Sequence, residues 1–153
     1  MENEFLLSSI KRHYKETKPL FEQVPEDALF KEPVQTGRPV GELLLHMLRA
    51  MEFYPKGIVE KSWVPLPFTL GNYDSKEKIL QLYEKVEQRC QAYLRTIESH
   101  DLDEEMFVDY SNSYVTKKEI LLEFLEHNVG HRGQLLVYLR LLGITPTKID
   151  FKV

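Results

Sequence analysis

Apolar residues recur three and four positions apart in four segments of the chain, and strict alternation of apolar and polar residues is almost absent. Such spacing places apolar side chains along one face of a helix, so the pattern predicts four amphipathic helices. The predicted helices run from about Asn3 to Gln23, from about Val40 to Val59, from Asp74 to near Ser99 or His100, and between the caps Thr116 and Gly143. Helices of roughly 20 residues are about 30 Å long, and four rods of matched length predict an all-α four-helix bundle.

Residues typical of helix ends support these boundaries. Thr116 and Glu119 form a capping-box pattern ahead of the fourth helix, and Gly143 is typical of the left-handed residue that follows a helix. Asp74 is expected to cap the third helix, and Pro39 is expected in the first turn of the second, where its missing N–H costs nothing. The starts of three helices are therefore predicted from local signals as well as from periodicity.

The connections between helices 2 and 3 and between helices 3 and 4 exceed ten residues, which is more than a minimal bundle needs. The first contains a proline-rich, aromatic stretch, residues 62–72, which is predicted to lie over the bundle as a loop. Trp63, Tyr110 and Tyr114 lie in these connections, either as lids over a pocket or, more commonly for such residues, as exposed packing groups. Long loops at one end of a bundle often build a functional site.

Two histidines stand four residues apart in the fourth predicted helix. The Cβ atoms of His127 and His131 are therefore expected about 5–6 Å apart, a separation from which two imidazoles can bind one cation. Both belong to the apolar stripe of that helix, whose members are Ile120, Phe124, His127, His131, Leu135, Tyr138 and Leu142. An imidazole nitrogen without a partner in an apolar interior costs about 1–3 kcal/mol, and a shared metal would remove that cost.

His46 supplies a third imidazole, because it lies on the apolar stripe of the second predicted helix with Leu43 and Phe53. Three histidines without a thiolate suit Zn²⁺, Ni²⁺ or another divalent transition metal, and three protein ligands leave a position open for water or substrate. We therefore predict a metal site formed by His46, His127 and His131. The alternatives are histidines at the surface or histidines hydrogen-bonded within the core.

Residues around the histidines carry further expectations. Gln134 is expected either to hydrogen-bond a ligand histidine or to make an ordinary interfacial hydrogen bond. Gly130 and Gly133 each cost about 0.8–1 kcal/mol inside a helix, which predicts a close helix contact at these positions. Arg132 is expected to point away from the ligands and to make a salt bridge or a subunit contact. His13, in a polar run slightly off its stripe, is expected to be a solvated or rim histidine.

The composition fits one globular domain spanning residues 1–153. The 20 Lys and Arg residues against 24 Asp and Glu give a net charge of −4, which argues against nucleic acid as a partner. No stretch approaches the ~18 consecutive apolar residues of a membrane span, and the start of the chain has no signal-peptide pattern. The single cysteine, Cys90, cannot form an internal disulfide and is expected to be a small buried hydrophobe, so a cytoplasmic protein is predicted.

Two stretches, GELLLHMLRAMEFY and HNVGHRGQLLVYLRLLGITPTKIDF, resemble the DinB family of bacterial damage-inducible proteins, and the resemblance covers essentially the whole chain. Its most specific part is carried by His127, His131-Arg132-Gly133-Gln134, Leu139-Arg140, Gly143, Pro146 and Asp150-Phe151. The resemblance implies a bundle, commonly a homodimer, with one divalent metal held by three histidines, which fall on His46, His127 and His131. Many relatives carry a further histidine where this chain has Gly130.

The wider superfamily includes thiol transferases that use bacillithiol or mycothiol, in which the metal binds the thiol as a thiolate. The resemblance therefore implies a metal-dependent enzyme of the thiol-transferase or hydrolase type that acts on a small molecule, with a low-molecular-weight thiol as a second candidate cofactor. One alternative is a non-catalytic, stress-related metal-binding bundle that acts as a dimer. Another is a metal-free helical interaction module whose histidines are hydrogen-bonding groups of the core.

Overall fold

The computed structural model describes residues 2–149, most of which lie in four long helices. These helices are α1 (Glu2–Gln23), α2 (Val40–Glu60), α3 (Lys76–Thr96) and α4 (Lys117–Leu141). Short 3₁₀ helices cover Glu26–Ala28 and Ser99–Asp103, and two strands precede α4, β1 (Glu105–Val108) and β2 (Ser113–Thr116). The predicted four-helix bundle is confirmed. None of the helices in residues 2–149 is both long enough and apolar enough to cross a membrane.

The apolar stripes of the helices meet in one core. α2 packs against α3 and α4, and α1 packs against the same two helices. The predicted stripe of α1 is buried throughout, at Leu6, Ile10, Tyr14, Thr17, Phe21 and Val24. The Tyr14 hydroxyl donates to the carbonyl of Met51 on α2 at 2.7 Å, and the Tyr83 hydroxyl on α3 donates to the carbonyl of Tyr14. Each such bond contributes about 0.5–1.5 kcal/mol and fixes α1 against its neighbours.

The ends of α4 follow the local signals in the sequence. The Thr116 hydroxyl accepts from the Glu119 N–H at 3.2 Å, while the Glu119 carboxylate accepts from the Thr116 N–H at 2.8 Å, which completes the capping box. Gly143 follows the helix with φ +80°, a conformation that favours glycine. Asp150 and Phe151 of the late motif lie outside the described residues.

Two other helix starts differ from the prediction. Ser75, rather than Asp74, caps α3, because the Ser75 hydroxyl accepts from the Lys78 N–H at 3.2 Å. The Asp74 carboxylate instead pairs with the Lys78 ammonium at 2.7 Å. Pro39 is the cap residue of α2 and lies one position before its first turn. α3 also ends earlier than predicted, at Thr96, because the backbone at Ile97 turns to an extended conformation.

The hairpin of β1 and β2 is an addition to the all-α prediction. The strands pair antiparallel, with Glu105 opposite Thr116 and Val108 opposite Ser113. Met106 and Val108 face the bundle, whereas Phe107 is exposed. Each strand has only four residues, so its apolar alternation is too short to be separated from a loop by periodicity.

Residues 62–72 lie over the bundle as a loop, as predicted. Trp63 and Phe68 bury their rings against the core. The Trp63 ring occupies the space beside Gly57 on α2, where an added Cβ would lie only 2.1 Å from the ring. Glycine at this position therefore lets the loop dock closely on the last turn of α2.

Candidate metal centre

Three histidines from two helices converge in the structure. His46 comes from the second turn of α2, and His127 and His131 come from successive turns of α4. The Nε2 atom of His46 lies 3.0 Å from Nε2 of His131 and 3.1 Å from Nε2 of His127. One ligand atom from each of the three lies within 4.8 Å of the others, and all three side chains are partly buried. The structure thus brings together the three residues that the sequence singled out.

The orientation of His131 is set by Gln134. The Gln134 side-chain oxygen lies 3.1 Å from Nδ1 of His131, so it accepts the Nδ1 proton and leaves the lone pair of Nε2 directed at the other histidines. A hydrogen bond of this kind is the usual support for a metal-binding imidazole, because it fixes both the tautomer and the ring plane. The structure therefore places Gln134 in the first of its two predicted roles.

The nitrogen geometry fits a small divalent cation. Nitrogens that bind Zn²⁺ at about 2.0–2.1 Å lie about 2.8–3.4 Å from one another, for bond angles between octahedral and tetrahedral. The two Nε2 separations at His46 fall within this range. Three neutral imidazoles are a donor set suited to Zn²⁺, Ni²⁺ and related ions, and three ligands leave coordination positions free. The residues present therefore fit the predicted metal.

The surroundings of His46 and His127 favour the neutral form of their imidazoles. Burial, assisted by the positive charge of Arg38, lowers the pKa of His46 to about 3. Burial and His131 also lower the pKa of His127, and the carboxylate of Glu123 opposes this shift. Because a histidine must lose its proton to bind a metal, depressed pKa values favour metal binding at neutral pH.

A small cavity of about 180 Å³ opens beside His46 and His127. Its walls are apolar and come from α2 and from the loop at residues 62–72, at Ala50, Phe53, Pro65 and Leu66. Arg49 also lines the cavity, and its guanidinium is held by the Glu42 carboxylate and by the carbonyl of Phe68. The three-histidine cluster thus has direct access to a compact apolar pocket.

A carboxylate is held on the α4 side of the same region. Glu123, one turn before His127, accepts hydrogen bonds from the Tyr54 hydroxyl at 3.3 Å and from the Tyr110 hydroxyl at 3.2 Å. Burial and Glu123 raise the pKa of Tyr54 to about 12, so Tyr54 keeps its proton. Sequence reasoning missed Tyr54 and Glu123, although the position of Glu123 four residues before His127 was an available signal.

The three aromatic residues of the long connections differ in role. The rings of Trp63 and Tyr110 pack against Phe53, with centroids 5.4 and 5.6 Å away, so both contact a residue that lines the pocket. Tyr114 lies on β2 and is 70% exposed. Trp63 and Tyr110 therefore adjoin the pocket residue Phe53 without lining the pocket themselves, and Tyr114 is the exposed group of the second expectation.

His13 does not occupy a solvated or rim position, and that expectation is wrong. Its side chain is 2% exposed, and its Nδ1 atom accepts from the Arg132 guanidinium at 3.1 Å. Arg132 also forms the salt bridge expected of it, with Glu16 at 3.5 Å. The signal for burial was present, since His13 lies three residues after Ile10 and four before Thr17 on the α1 stripe.

The close helix contact predicted at Gly130 and Gly133 is also absent. Within residues 2–149, nothing lies within 4 Å of a Cβ added at either glycine, and both face outward. Cys90, in contrast, is buried as predicted, and burial raises the pKa of its thiol to about 12.

Comparison with known proteins places the whole chain in one group. The model of a family described as the DinB family matches residues 1–153. The protein YjoA of Bacillus subtilis strain 168 is 25% identical over 143 residues, which cover 92% of this chain and 90% of YjoA. Both proteins are therefore similar along nearly their full lengths.

Solved structures share the fold. The crystal structure of YjoA superposes with a TM-score of 0.75 at 24% identity and covers 95% of each chain. A DinB-like protein from Bacillus cereus ATCC 10987 gives 0.77 at 20% identity, covering 96% of this chain and 97% of its own. YfiT from Bacillus subtilis, described as a probable metal-dependent hydrolase with an unusual four-helix bundle topology, gives 0.66 at 15% identity, covering 94% and 89%.

Proposed function

The chain belongs to the DinB family, and from this premise we propose that it is a metal-dependent enzyme of the hydrolase or thiol-transferase type that acts on a small molecule. The observation that carries the proposal is the convergence of three Nε2 atoms, from His46, His127 and His131, beside an open apolar pocket. The description of YfiT as a probable metal-dependent hydrolase supports the same class of reaction.

The three histidines would hold one divalent ion, with Gln134 fixing the ring of His131. Such an ion lowers the pKa of a bound water or thiol and so supplies a nucleophile near neutral pH. The protein's own contribution is to present three imidazole nitrogens and to leave the pocket side of the cluster open. A low-molecular-weight thiol is the second cofactor that this arrangement would accept.

Glu123 is the group best placed to take up a proton. Its carboxylate lies one turn from His127 and is oriented by the hydroxyls of Tyr54 and Tyr110. A carboxylate that is held in one orientation beside a nucleophile can act as a general base. Replacement of Glu123 by Gln is expected to lower kcat while the metal content stays unchanged.

Elemental mass spectrometry tests the metal site directly. We expect stoichiometric divalent metal in the wild-type protein and its loss in His46→Ala, His127→Ala and His131→Ala. His100→Ala is the matched control, because His100 is exposed and lies outside the cluster. Wild-type protein purified without stoichiometric metal would contradict the proposal and favour the metal-free interaction module.

Activity assays then separate the remaining classes. The metal-loaded protein is screened against small esters and amides for hydrolysis, and against small electrophiles with thiols for conjugation. Turnover that disappears in His127→Ala is the expected result. Metal without any turnover would instead favour the non-catalytic, stress-related bundle.

Homodimerisation is part of the proposal and is supported by an exposed apolar face of α4. Val129, Val137 and Leu141 are 41, 52 and 56% exposed, and Gly133 lies between the first two with open space around it. Contiguous apolar surface of this kind commonly marks a protein interface. Val137→Glu is expected to shift the mass measured by light scattering from dimer to monomer, and a monomeric wild type would contradict this.

A further inference from the structure

A cleft of about 590 Å³ lies between α1 and the segment that follows α4. One wall is formed by residues in the middle of α1, and the other by residues 147–149. Small-molecule sites in proteins commonly have volumes of about 300–1,000 Å³, so the cleft has the size of a ligand site. None of the three clustered histidines lines it. The charged residues that line it are Lys11, Arg12, Lys15, Glu16 and Lys148.

The wall formed by the segment after α4 is held in place by Gln23, the last residue of α1. The side-chain amide of Gln23 donates to the carbonyl of Thr145 at 3.1 Å, and its side-chain oxygen accepts from the Thr147 N–H at 2.6 Å. Ile149, at the end of this segment, packs against the core. The wall opposite the lysines of α1 therefore has a defined position.

The cleft is positive, although the whole chain has a net charge of −4. Among residues 2–149, four cationic side chains line it and Glu16 is its one carboxylate. That carboxylate is shared, because it lies 3.8 Å from the Arg12 guanidinium and 3.5 Å from the Arg132 guanidinium. Glu16 thus leaves the positive charge of the cleft largely uncompensated.

Two of the cations, Lys11 and Lys15, have no anionic partner in the described part of the chain. Lys18, one turn further along α1, pairs with Glu84 at 3.3 Å, whereas Lys11 and Lys15 form no ion pair with any residue of 2–149. They stand four positions apart on the helix, a spacing at which like charges repel. An anion bound between them would relieve this repulsion.

We propose that the cleft is a second ligand site, which binds a small molecule that carries a diphosphate group. Lysine and arginine are the usual side chains for phosphate recognition, and the Thr147 hydroxyl on the opposite wall is a further donor. A phosphate ester carries a charge of about −1.5 to −2 at pH 7, so a single phosphate leaves the cleft positive and a diphosphate comes close to neutralising it. Pro19 and Ile149 supply apolar wall for an organic group. The site needs no metal, so the inference is independent of the proposed function.

Isothermal titration calorimetry with ADP, adenosine and sulfate at equal, low ionic strength tests the site on the full-length protein. ADP is expected to bind about ten-fold or more tightly than adenosine, which lacks only the diphosphate, and than sulfate. The double variant Lys11→Gln/Lys15→Gln should lower the affinity for ADP about ten-fold or more. Lys85→Gln/Arg95→Gln removes the same charge from exposed positions of α3 and should leave it unchanged. His127→Ala is included because a diphosphate also binds divalent metals, and it should bind ADP as the wild type does.

Three results would overturn the inference. ADP could bind no more tightly than sulfate or adenosine at millimolar concentrations. The two double variants could lose affinity equally, which would be a general effect of net charge. Binding could persist in Lys11→Gln/Lys15→Gln and disappear in His127→Ala, which would place the diphosphate on a metal at the histidine cluster.

Pyrophosphate separates the two sources of the diphosphate group. Tighter binding of ADP than of pyrophosphate supports a diphosphate ester as the ligand, and equal binding supports the free anion. Thermal melting by circular dichroism checks that every variant is folded.

Discussion

Replacement of His13 by Gln should make the stability of the protein less sensitive to acid. His13 is buried on α1, and its Nδ1 atom accepts a hydrogen bond from Arg132, so a protonated imidazole there would lose that bond and face a guanidinium. Burial, with a contribution from Arg132, lowers the pKa of His13 from 6.5 to about 3. A glutamine side chain can still accept from Arg132, but it does not titrate.

The sign and size of the effect follow from proton linkage. Below pH 6.5 the unfolded chain binds a proton at His13 and the folded protein does not, so the free energy of unfolding falls with falling pH until about pH 3. The slope is about 1.4 kcal/mol per pH unit, which amounts to about 2 kcal/mol between pH 6.5 and pH 5. At and above neutral pH His13 is neutral in both states and contributes no pH dependence.

Urea unfolding followed by circular dichroism measures this difference. The wild type, His13→Gln and the exposed-site control His100→Gln are compared at about pH 7.5 and about pH 5 in the presence of a chelator, which removes any metal linkage. Groups that titrate in the same way in all three proteins change the free energy of unfolding equally, so their contributions cancel when the proteins are compared. We expect the loss of stability on acidification to be about 2 kcal/mol smaller in His13→Gln than in the other two. Parallel losses in all three proteins would refute a neutral, buried His13.

Three further substitutions or modifications test the packing. Gly57→Ala places a methyl group 2.1 Å from the Trp63 ring, so it should lower the free energy of unfolding by about 1–3 kcal/mol in urea titrations; an unchanged value would show that the loop can move away. Gly130→Ala adds a methyl group to open space on α4 and should raise the free energy of unfolding by up to about 1 kcal/mol. The Cys90 thiol, whose pKa burial raises to about 12, should resist a thiol reagent in the native protein and react in urea; rapid native labelling would contradict its burial.

The spacing of apolar residues correctly predicted the features that depend on long, regular helices. The stripe of α1 from Leu6 to Val24 is buried as expected, and the capping box at Thr116 and Glu119 closes the start of α4. The same spacing placed His46, His127 and His131 on inward faces of two helices, and the structure brings them together. In each case the residue type and its helical position were sufficient, because regular geometry fixes the rest.

Features that depend on contacts between distant segments were missed. His13 lies in a run rich in charged residues, which outweighed its place between Ile10 and Thr17 on the α1 stripe, and its partner Arg132 comes from the distant α4. Arg38 lies in an irregular segment, so no local pattern shows that its backbone is held by the Tyr138 hydroxyl of α4. The glycines of α4 show the converse error, a predicted contact that the structure does not contain. Gly130 lowers the stability of its helix relative to alanine, and no contact within residues 2–149 explains its presence.

The histidine cluster joins helices that are far apart in the chain. His46 is separated from His127 by 81 residues, and α2 and α4 are packed against each other. An ion bound by histidines of both helices would cross-link α2 and α4, and unfolding would then require release of the ion. At a free ion concentration 100 times the dissociation constant, binding of the ion adds about 2.7 kcal/mol to the free energy of unfolding. Resistance of the protein to proteolysis would accordingly rise and fall with the supply of the metal to the cell, so the lifetime of the protein would depend on that supply.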